Sequence, residues 1–575
     1  MRLLYVCYTD WFWRYMEEKN KLTISYREIF FYLYFAVMFG MRMWGVYEGN
    51  SLYGPLLVVG FAFWGISILM TEHTVFEYIV IAAFMVLAGA VYLNTGEKGL
   101  LLYFSLMLGM KNIDIKKLFK VGVIAGGSGM VCLTFLTSFG IVEDVAYLQS
   151  RPIVGTIFRH SLGMPHPNTL STSFTIIVVM IMYIVGNEDK IRVIRTSAVL
   201  AIIAVYLYIY SGSRTGIAIT LGFLILNILY CYRKKTGIIE RVVLILLFPV
   251  IWGFSIILPA VASDELVQRL LKIDYNFMVR VRIGKEYLHQ NPITLFGSRI
   301  VNVDSVYGID LSQLYLFLNL GVVAFVVVSL LTILLLIDEV RHNRVSELVI
   351  TFAFLLMGIT DPFLYNISFK NIFFAFMGVM LYANLEKAYN VLPERMCSEI
   401  RILKIGAREL KIRTPGRLYG LLSSIQEMPA GKRIAGIALA MLLAAIAAVA
   451  VYTATPRPEY ALTDRNYKEH ALIKDLEGKY YSLQEIKELE RNGNIVLNYS
   501  GEDELMYVYY SDEDNPIPGG HYADKAAIVE KARRSISIFF WGTMTLSLGS
   551  ALVENCLLTG HKDSKNKGKR DVKHE

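Results

Sequence analysis

Long apolar runs separated by short polar punctuation dominate this chain. A run of about 18 or more mostly apolar residues is long enough to cross a bilayer as a helix. Such runs fall near residues 27–46, 52–71, 75–94, 98–110, 119–142, 170–186, 196–212, 215–232, 240–261, 312–337, 346–360, 370–385, 433–454 and 535–558. The pattern predicts about fourteen spans, the fourth short enough to be tilted or re-entrant. Between the last two runs the pattern changes. Residues 455–534 are polar and rich in Asp and Glu, and they suit a separate folded piece. Within it Ser482–Arg491 has helical spacing, with Glu485 and Glu488 facing out. Asn494–Tyr499 and Leu505–Tyr510 alternate as strands, and Ile517-Pro-Gly-Gly520 reads as a turn.

The predicted fold is therefore an all-α polytopic membrane bundle with a small α+β extracytoplasmic domain near the C-terminus. Residues 1–385 form a membrane core of about twelve spans. Residues 386–432 form a basic cytoplasmic linker, and 433–558 a hairpin of two spans enclosing the 455–534 domain. Residues 559–575 form a basic, lysine-rich tail. No internal repeat is visible. Ile400–Arg413 is basic and amphipathic, which suits a helix lying on anionic lipid or docking a partner.

Composition supports the membrane class. The 575 residues are 55% hydrophobic and only 18% charged, against roughly 25% charged in a soluble protein. Mean hydropathy is +0.46. Met1–Ser25 is mixed, charged and aromatic, unlike a cleavable signal peptide. The net charge of +8 is an orientation signal, because Lys and Arg crowd every second loop. The basic loops hold Lys111 with Lys116, Lys117 and Lys120; Lys190 with Arg192 and Arg195; Arg233 with Lys234, Lys235 and Arg241; and Arg341 with Arg344. Their alternation places both termini in the cytoplasm, with Thr71-Glu-His-Thr74 as the one short inner loop lacking Lys and Arg. No basic domain or reader motif for nucleic acid is present. Cys7, Cys132, Cys231, Cys397 and Cys556 make neither a disulfide framework nor a zinc pattern.

Three segments on the predicted outer side carry candidate chemistry. Arg214, in Ser211-Gly-Ser-Arg-Thr-Gly216, sits between two apolar runs. A charge at mid-bilayer costs roughly 2.5–3.5 kcal/mol, so Arg214 either snorkels to headgroups or lines a wet cavity. Arg159-His-Ser-Leu-Gly-Met-Pro-His-Pro-Asn168 offers a guanidinium for phosphate and two imidazoles for proton transfer. Its plainer reading is an interface loop in which His166-Pro-Asn168 caps the next helix. The outer loop 263–311 carries Arg269, Lys272, Arg280, Arg282, Lys285 and Arg299, against the positive-inside trend, and an anionic ligand gives these cations a purpose. Arg280 and Arg282 share a side if extended and splay if helical. Asp512-Glu-Asp514 reads as an acidic turn, Asp361-Pro362 as a helix stop, and Arg42 as a snorkelling residue without assigned role. Together the three arginine segments suit a diphosphate attached to a lipid.

In order and sidedness, residues 27–386 resemble the Wzy-type polysaccharide polymerases and related O-antigen ligases. The elements that carry the resemblance are Arg159-His-Ser-Leu-Gly with His166-Pro-Asn168, the Ser-Gly-Ser-Arg214-Thr-Gly turn, and the loop holding Arg280, Arg282 and Asn291-Pro with Phe296-Gly297. Re-entry through Asp310-Leu-Ser-Gln-Leu-Tyr-Leu-Phe-Leu-Asn-Leu-Gly321 and the inner Lys111-Asn-Ile-Asp-Ile-Lys-Lys117 add to it. Two departures stand out. The family's Asp-x-x-Tyr pattern occurs early, as Asp304-Ser-Val-Tyr307, while Asp310 is better spaced but followed by Gln313; both aspartates stay open. The hairpin after residue 433 lies outside the usual polymerase and is only loosely similar to chain-length regulators.

The resemblance implies a GT-C-class glycosyltransferase in the bacterial cytoplasmic membrane that needs no metal or cofactor. Its substrates would be undecaprenyl-diphosphate-linked oligosaccharide and the growing polysaccharide, amid membrane lipids, with a flippase and a chain-length regulator as possible partners. It assigns diphosphate binding to Arg159, Arg214, Arg280 and Arg282. It assigns the base to His166, Asp304 or Asp310, and substrate contacts to His160, Asn168, Ser213 and Tyr307. A ligase with another acceptor and a flippase of lipid-linked sugar are the rival expectations.

Overall fold

A computed structural model describes residues 22–151, 155–273, 275–301, 308–403, 409–412, 430–455 and 531–547, together with short strands between 460 and 510. It is mostly helical. The core helices are α1 (Tyr26–Met43), α2 (Tyr53–Met70), α3 (Val75–Thr95), α4 (Gly99–Leu108), α5 (Ile115–Ser138), α6 (Pro167–Val185), α7 (Lys190–Ser211), α8 (Arg214–Arg233) and α9 (Ile238–Trp252). The last runs on through a π turn to Val261. There follow α10 (Asp264–Ile273), α11 (Tyr275–Gln290), α12 (Ser312–Leu318), α13 (Val322–Arg341), α14 (Val345–Met357), α15 (Phe373–Ala388) and α16 (Ala430–Ala454). Residues 531–547 form α17. Among the described residues, nine helices are long and apolar enough to cross a membrane. The chain is thus a membrane protein by the length and composition of its helices.

Local chemistry explains the helix starts. Thr74 and Glu77 form a reciprocal capping box at α3, and Asp114 caps α5. The His166 side chain caps α6, with Pro167 as its first residue. Of the nine long apolar helices, α6 is the most enclosed, with 67% of its apolar window buried inside the protein. Its neighbours are α5, α7 and α8. Its N-terminal turn therefore sits among several loops rather than at a lipid-facing edge.

Two expectations are corrected. The predicted 312–337 span is broken into α12 and α13 by Gly321, at φ +90°. The loop 291–301 wedges into the break: Val322 N donates to Thr294 O at 3.0 Å and Val323 N to Leu295 O at 3.1 Å. A Cβ on Gly321 would lie 2.2 Å from Gly297 N, so only glycine admits this approach. The Ile400–Arg413 helix is also absent where described. Glu399–Ile400 (β5) pairs antiparallel with His73–Thr74 (β2), and Glu409–Ile412 (β6) with Leu22–Ser25 (β1). Leu410 and Ile412 alternate with polar neighbours at period 2, which a strand uses better than a helix.

A hairpin that the apolar pattern does not reveal, Ala146–Arg151 (β3) with Gly155–His160 (β4), precedes α6. In the C-terminal insert, Ile495–Tyr499 (β10) and Leu505–Tyr510 (β11) pair antiparallel close to their predicted bounds, with Tyr460–Leu462 (β7) on the far side of β11. The Ser482–Arg491 helix, the Ile517–Gly520 turn, Asp512–Asp514 and the basic tail lie outside the described residues.

The connections sort to two ends. At the Lys111 end, Lys111 meets Glu77 at 2.6 Å, Lys117 approaches Glu28 at 3.9 Å, and Asn187 donates to Ser346 at 3.1 Å. At the Arg214 end lie the β3–β4 hairpin, the α7–α8 turn and residues 262–273, 275–301, 308–311 and 358–372.

Candidate active site at the Arg214 end

The first turns of α6 are the hub of this end. Arg159, 9% exposed, leaves β4 and donates from Nε to the Ser211 carbonyl at 2.8 Å and from Nη2 to Asn168 Oδ1 at 2.5 Å. One guanidinium thus joins the hairpin, the end of α7 and the start of α6. Four residues along, Thr172 Oγ1 lies 3.1 Å from Asp361 Oδ2. On the adjacent flank the Thr169 carbonyl receives Lys370 Nζ at 3.5 Å.

Arg214 follows Ser213, the N-cap of α8, three residues beyond the carbonyl that Arg159 holds. Its side chain is exposed and makes no hydrogen bond or ion pair with the described residues. The turn beneath it is tight. A Cβ on Gly216 would lie 1.9 Å from Ser171 Oγ, so the start of α8 presses directly on α6. Ser213 is buried, its amide donating to Ser211 Oγ at 3.3 Å. The structure therefore brings Arg159, Asn168, Ser213 and Arg214 into one neighbourhood.

Arg280 and Arg282 splay, because α11 is helical and two residues turn a helix by about 200°. Arg280 reaches Asp310 at 3.0 Å, while Arg282 reaches Glu286 one turn along its own helix at 3.5 Å. The two do not form one guanidinium pair. Asp310 sits just before α12, and the backbone of that helix is tied to the 358–372 connection: Ser312 N donates to Gly358 O at 2.8 Å and Ser312 Oγ to Asp361 O at 2.7 Å. Asp310 and Asp361 thus belong to one neighbourhood with Arg280 and α6.

The electrostatics follow from this crowding. The Asp310 side chain keeps 41% of its surface exposed, beside the Arg280 guanidinium. Desolvation raises its carboxyl to about 6; Arg280 opposes that rise and the Asp361 charge adds to it. Burial lowers the His166 imidazole to about 4, helped by the Arg159 and Lys370 charges. Its Nδ1 accepts from Asn168 N at 3.1 Å. His166 therefore acts as a helix cap, the plainer of its two readings, and is too weakly basic at neutral pH to favour proton abstraction. Burial likewise lowers Lys370 to about 8, although Asp361 opposes it.

His160 has a partner that lies outside the sequence-predicted set. Its Nδ1 meets Asp144 Oδ2 at 2.6 Å. Asp144 also accepts from Leu162 N at 2.8 Å and Ser161 Oγ at 3.3 Å. Burial pushes the Asp144 carboxyl up, but the His160 bond and charge, Arg533 and the Leu162 amide outweigh it and hold it below the usual carboxylate range.

Asp304 and Tyr307 lie outside the described residues. Residues missed in the sequence are Asp144 and Lys370, and Asp361 is more than a helix stop. Arg42 is fully buried, donates to Ile367 O at 2.9 and 2.7 Å and to Tyr53 Oη at 3.0 Å, and lies 4.4 Å over the Tyr53 ring. It pins the 358–372 connection to α1 rather than snorkelling. The signal for Lys370 was Asn366-Ile-Ser-Phe-Lys-Asn371, a polar insert that an apolar-run reading assigns to the edge of a span. Among the described residues, no group of three or more His, Cys, Asp or Glu is placed to hold a metal ion. The chain matches no protein-family model, and no curated protein or solved structure is significantly similar to it.

Proposed function

We propose that this chain polymerises lipid-linked, undecaprenyl-diphosphate oligosaccharide repeat units into a polysaccharide at the outer face of a bacterial cytoplasmic membrane. The Arg214 end is then the outer end. The observation that carries the reading is that Arg159 and Lys370 bond to the first turn of α6, Arg214 begins the helix packed against it, and Arg280 pairs with Asp310, whose segment is joined to the same turns through Asp361. Four cations from four separate segments at one end of a membrane bundle suit a diphosphate whose lipid lies between helices.

In the proposed step an acceptor hydroxyl oxygen bonds to the anomeric carbon of the donor sugar. The bond from that carbon to the diphosphate oxygen breaks, and the hydroxyl proton passes to the Asp310 carboxylate. Charge that builds on the leaving diphosphate is met by Arg214 and Arg159, which forks of guanidinium nitrogens do without a metal. Asp310 suits the base because its raised basicity lies closer to neutrality than that of an ordinary carboxylate. Asn168, Ser213 and His160 line the same neighbourhood for the glycan. Arg282, turned onto Glu286, takes a lesser share.

The test is removal of the gene followed by analysis of lipid-linked sugars. Single repeat units accumulating outside support polymerisation. Units trapped inside point to a flippase, and full-length but unattached polymer to a ligase. Within the protein, Arg214→Lys keeps the charge but loses the fork. Polymer output should fall to a small fraction while insertion and thermal unfolding stay unchanged; near-normal polymer from this variant rejects the assignment.

A further inference from the structure

The hairpin after residue 430 is an addition to the membrane core by sequence, yet its second helix is built into the candidate site. On α17, the Phe540 ring stacks on Tyr206 of α7 at 4.0 Å and an interplanar angle of 7°. Trp541 Nε1 donates to Tyr206 Oη at 3.0 Å, and the Trp541 ring meets Phe135 of α5 edge-on at 5.3 Å. One turn nearer the Arg214 end, Tyr210 Oη donates to the Arg533 carbonyl at 2.8 Å, and the Arg533 guanidinium lies 5.2 Å over the Tyr210 ring. From there Arg533 Nη2 reaches Asp144 Oδ2 at 3.9 Å, the same oxygen that holds His160. The side chains of Arg533, Asp144 and His160 are 17%, 18% and 7% exposed. Attraction among them is therefore screened less than at an open surface.

We infer that α17 is a wall of the outer site and that Arg533 is a positioning residue, acting through Asp144 on His160. The physical argument is one of constraint. Asp144 stands on the connection from α5 to β3, without helix or strand to fix it. Its carboxylate is fixed by the Leu162 amide and Ser161 hydroxyl at Oδ1 and by the His160 ring and the Arg533 charge at Oδ2. The His160 ring takes its orientation from Asp144 in turn. Tyr210 precedes Ser211, whose carbonyl holds Arg159, so the same helix end that seats α17 also seats the diphosphate wall. A residue 373 positions away from His160 along the chain thus sets the geometry of the glycan-facing side. The role assigned to His160 in binding glycan rests on the polymerase reading; the coupling itself does not.

The test uses the full-length protein in lipid nanodiscs and two readouts. In the first, diethyl pyrocarbonate modifies histidines and mass spectrometry reads each site. Arg533→Met should raise the modification rate of His160 several-fold, leave His289 and His342 unchanged, and leave thermal unfolding within error; Arg533→Lys should restore protection. An unchanged His160 rate in Arg533→Met overturns the inference. In the second, polymer formation from lipid-linked repeat units is followed with Arg533→Met and Arg533→Lys. Loss in the first and recovery in the second support positioning. A loosened His160 with no polymer made by any form of the protein leaves the coupling standing and rejects the polymerase reading instead.

Discussion

A carboxylate becomes a usable base when its surroundings lift it toward neutrality, and Asp310 shows how a single position achieves that. Crowding by protein removes solvent from part of the group, the Asp361 charge adds to the rise, and Arg280 stops it from going further. A base must be unprotonated to work. On the proposed reading, polymerisation by detergent-free vesicles should therefore fall as pH drops through about 6, and Asp310→Asn should lose most activity at every pH. A profile that stays flat from neutral pH down to the range of an ordinary carboxylate removes Asp310 from the mechanism. Arg42 teaches the complementary lesson. A fully buried guanidinium looks functional, yet its donors are taken up by two backbone carbonyls and a tyrosine hydroxyl, so its charge is spent on holding loops together. Arg214 has no such partners among the described residues, and this difference, rather than burial, marks it as available to a ligand.

At the scale of elements, two devices shape the bundle. One is the break between α12 and α13, where Gly297 and Gly321, at φ +81° and +90°, let two backbones meet. Gly321→Ala should destabilise the protein by roughly 1–3 kcal/mol from backbone strain alone, with further loss from the clash. Gly308→Ala, whose Cβ meets nothing within 4 Å, is the matched control. Equal melting temperatures for the two variants would contradict this account. The other device is the node at the Lys111 end. Glu77, 2% exposed, accepts from Lys111 and Tyr389 at 2.6 Å and from Thr74 N at 3.0 Å, and meets His73 Nδ1 at 3.0 Å. Nearby, Arg401 pairs with Glu72 at 2.6 Å and Leu403 N donates to Leu69 O at 2.9 Å. The node thus clamps the chain that leaves α15 onto the α2–α3 connection. Glu77→Ala leaves Lys111 Nζ with only the Glu72 carbonyl, at 2.7 Å, and removes the acceptor of Tyr389 and His73, which should cost roughly 1–3 kcal/mol. Limited proteolysis should then cut between residues 386 and 403 where the native protein resists, and unaltered resistance would show that the clamp is not held by this carboxylate.

For the whole molecule, apolar periodicity determined a great deal. A run of apolar side chains has one low-energy solution in lipid, a helix that satisfies its own backbone. Helices accordingly stand at the predicted runs as far as these are described, with the 312–337 run broken at Gly321, and the alternation of Lys and Arg already separated the loops that the structure gathers at the two ends. The cap at His166-Pro-Asn168 was legible too, because it acts within one turn. Other features were beyond local pattern. Strand pairing of β1 with β6 joins residues nearly 400 positions apart, which no period of 2 or 3.6 encodes. Whether Arg280 and Arg282 act together depended on helix or strand in a loop of mixed composition. Asp144, Lys370 and Arg533 are single charges whose meaning comes only from what lies across from them. The sequence by itself determined that this is a helical membrane protein, where its long apolar helices run, and which arginines to weigh as candidates. Tertiary structure alone decided which of those arginines lie near one another and that the helix at 531–547 packs beside them. Burial in lipid acts on each segment separately, whereas charge pairing acts through space between segments that the chain keeps far apart.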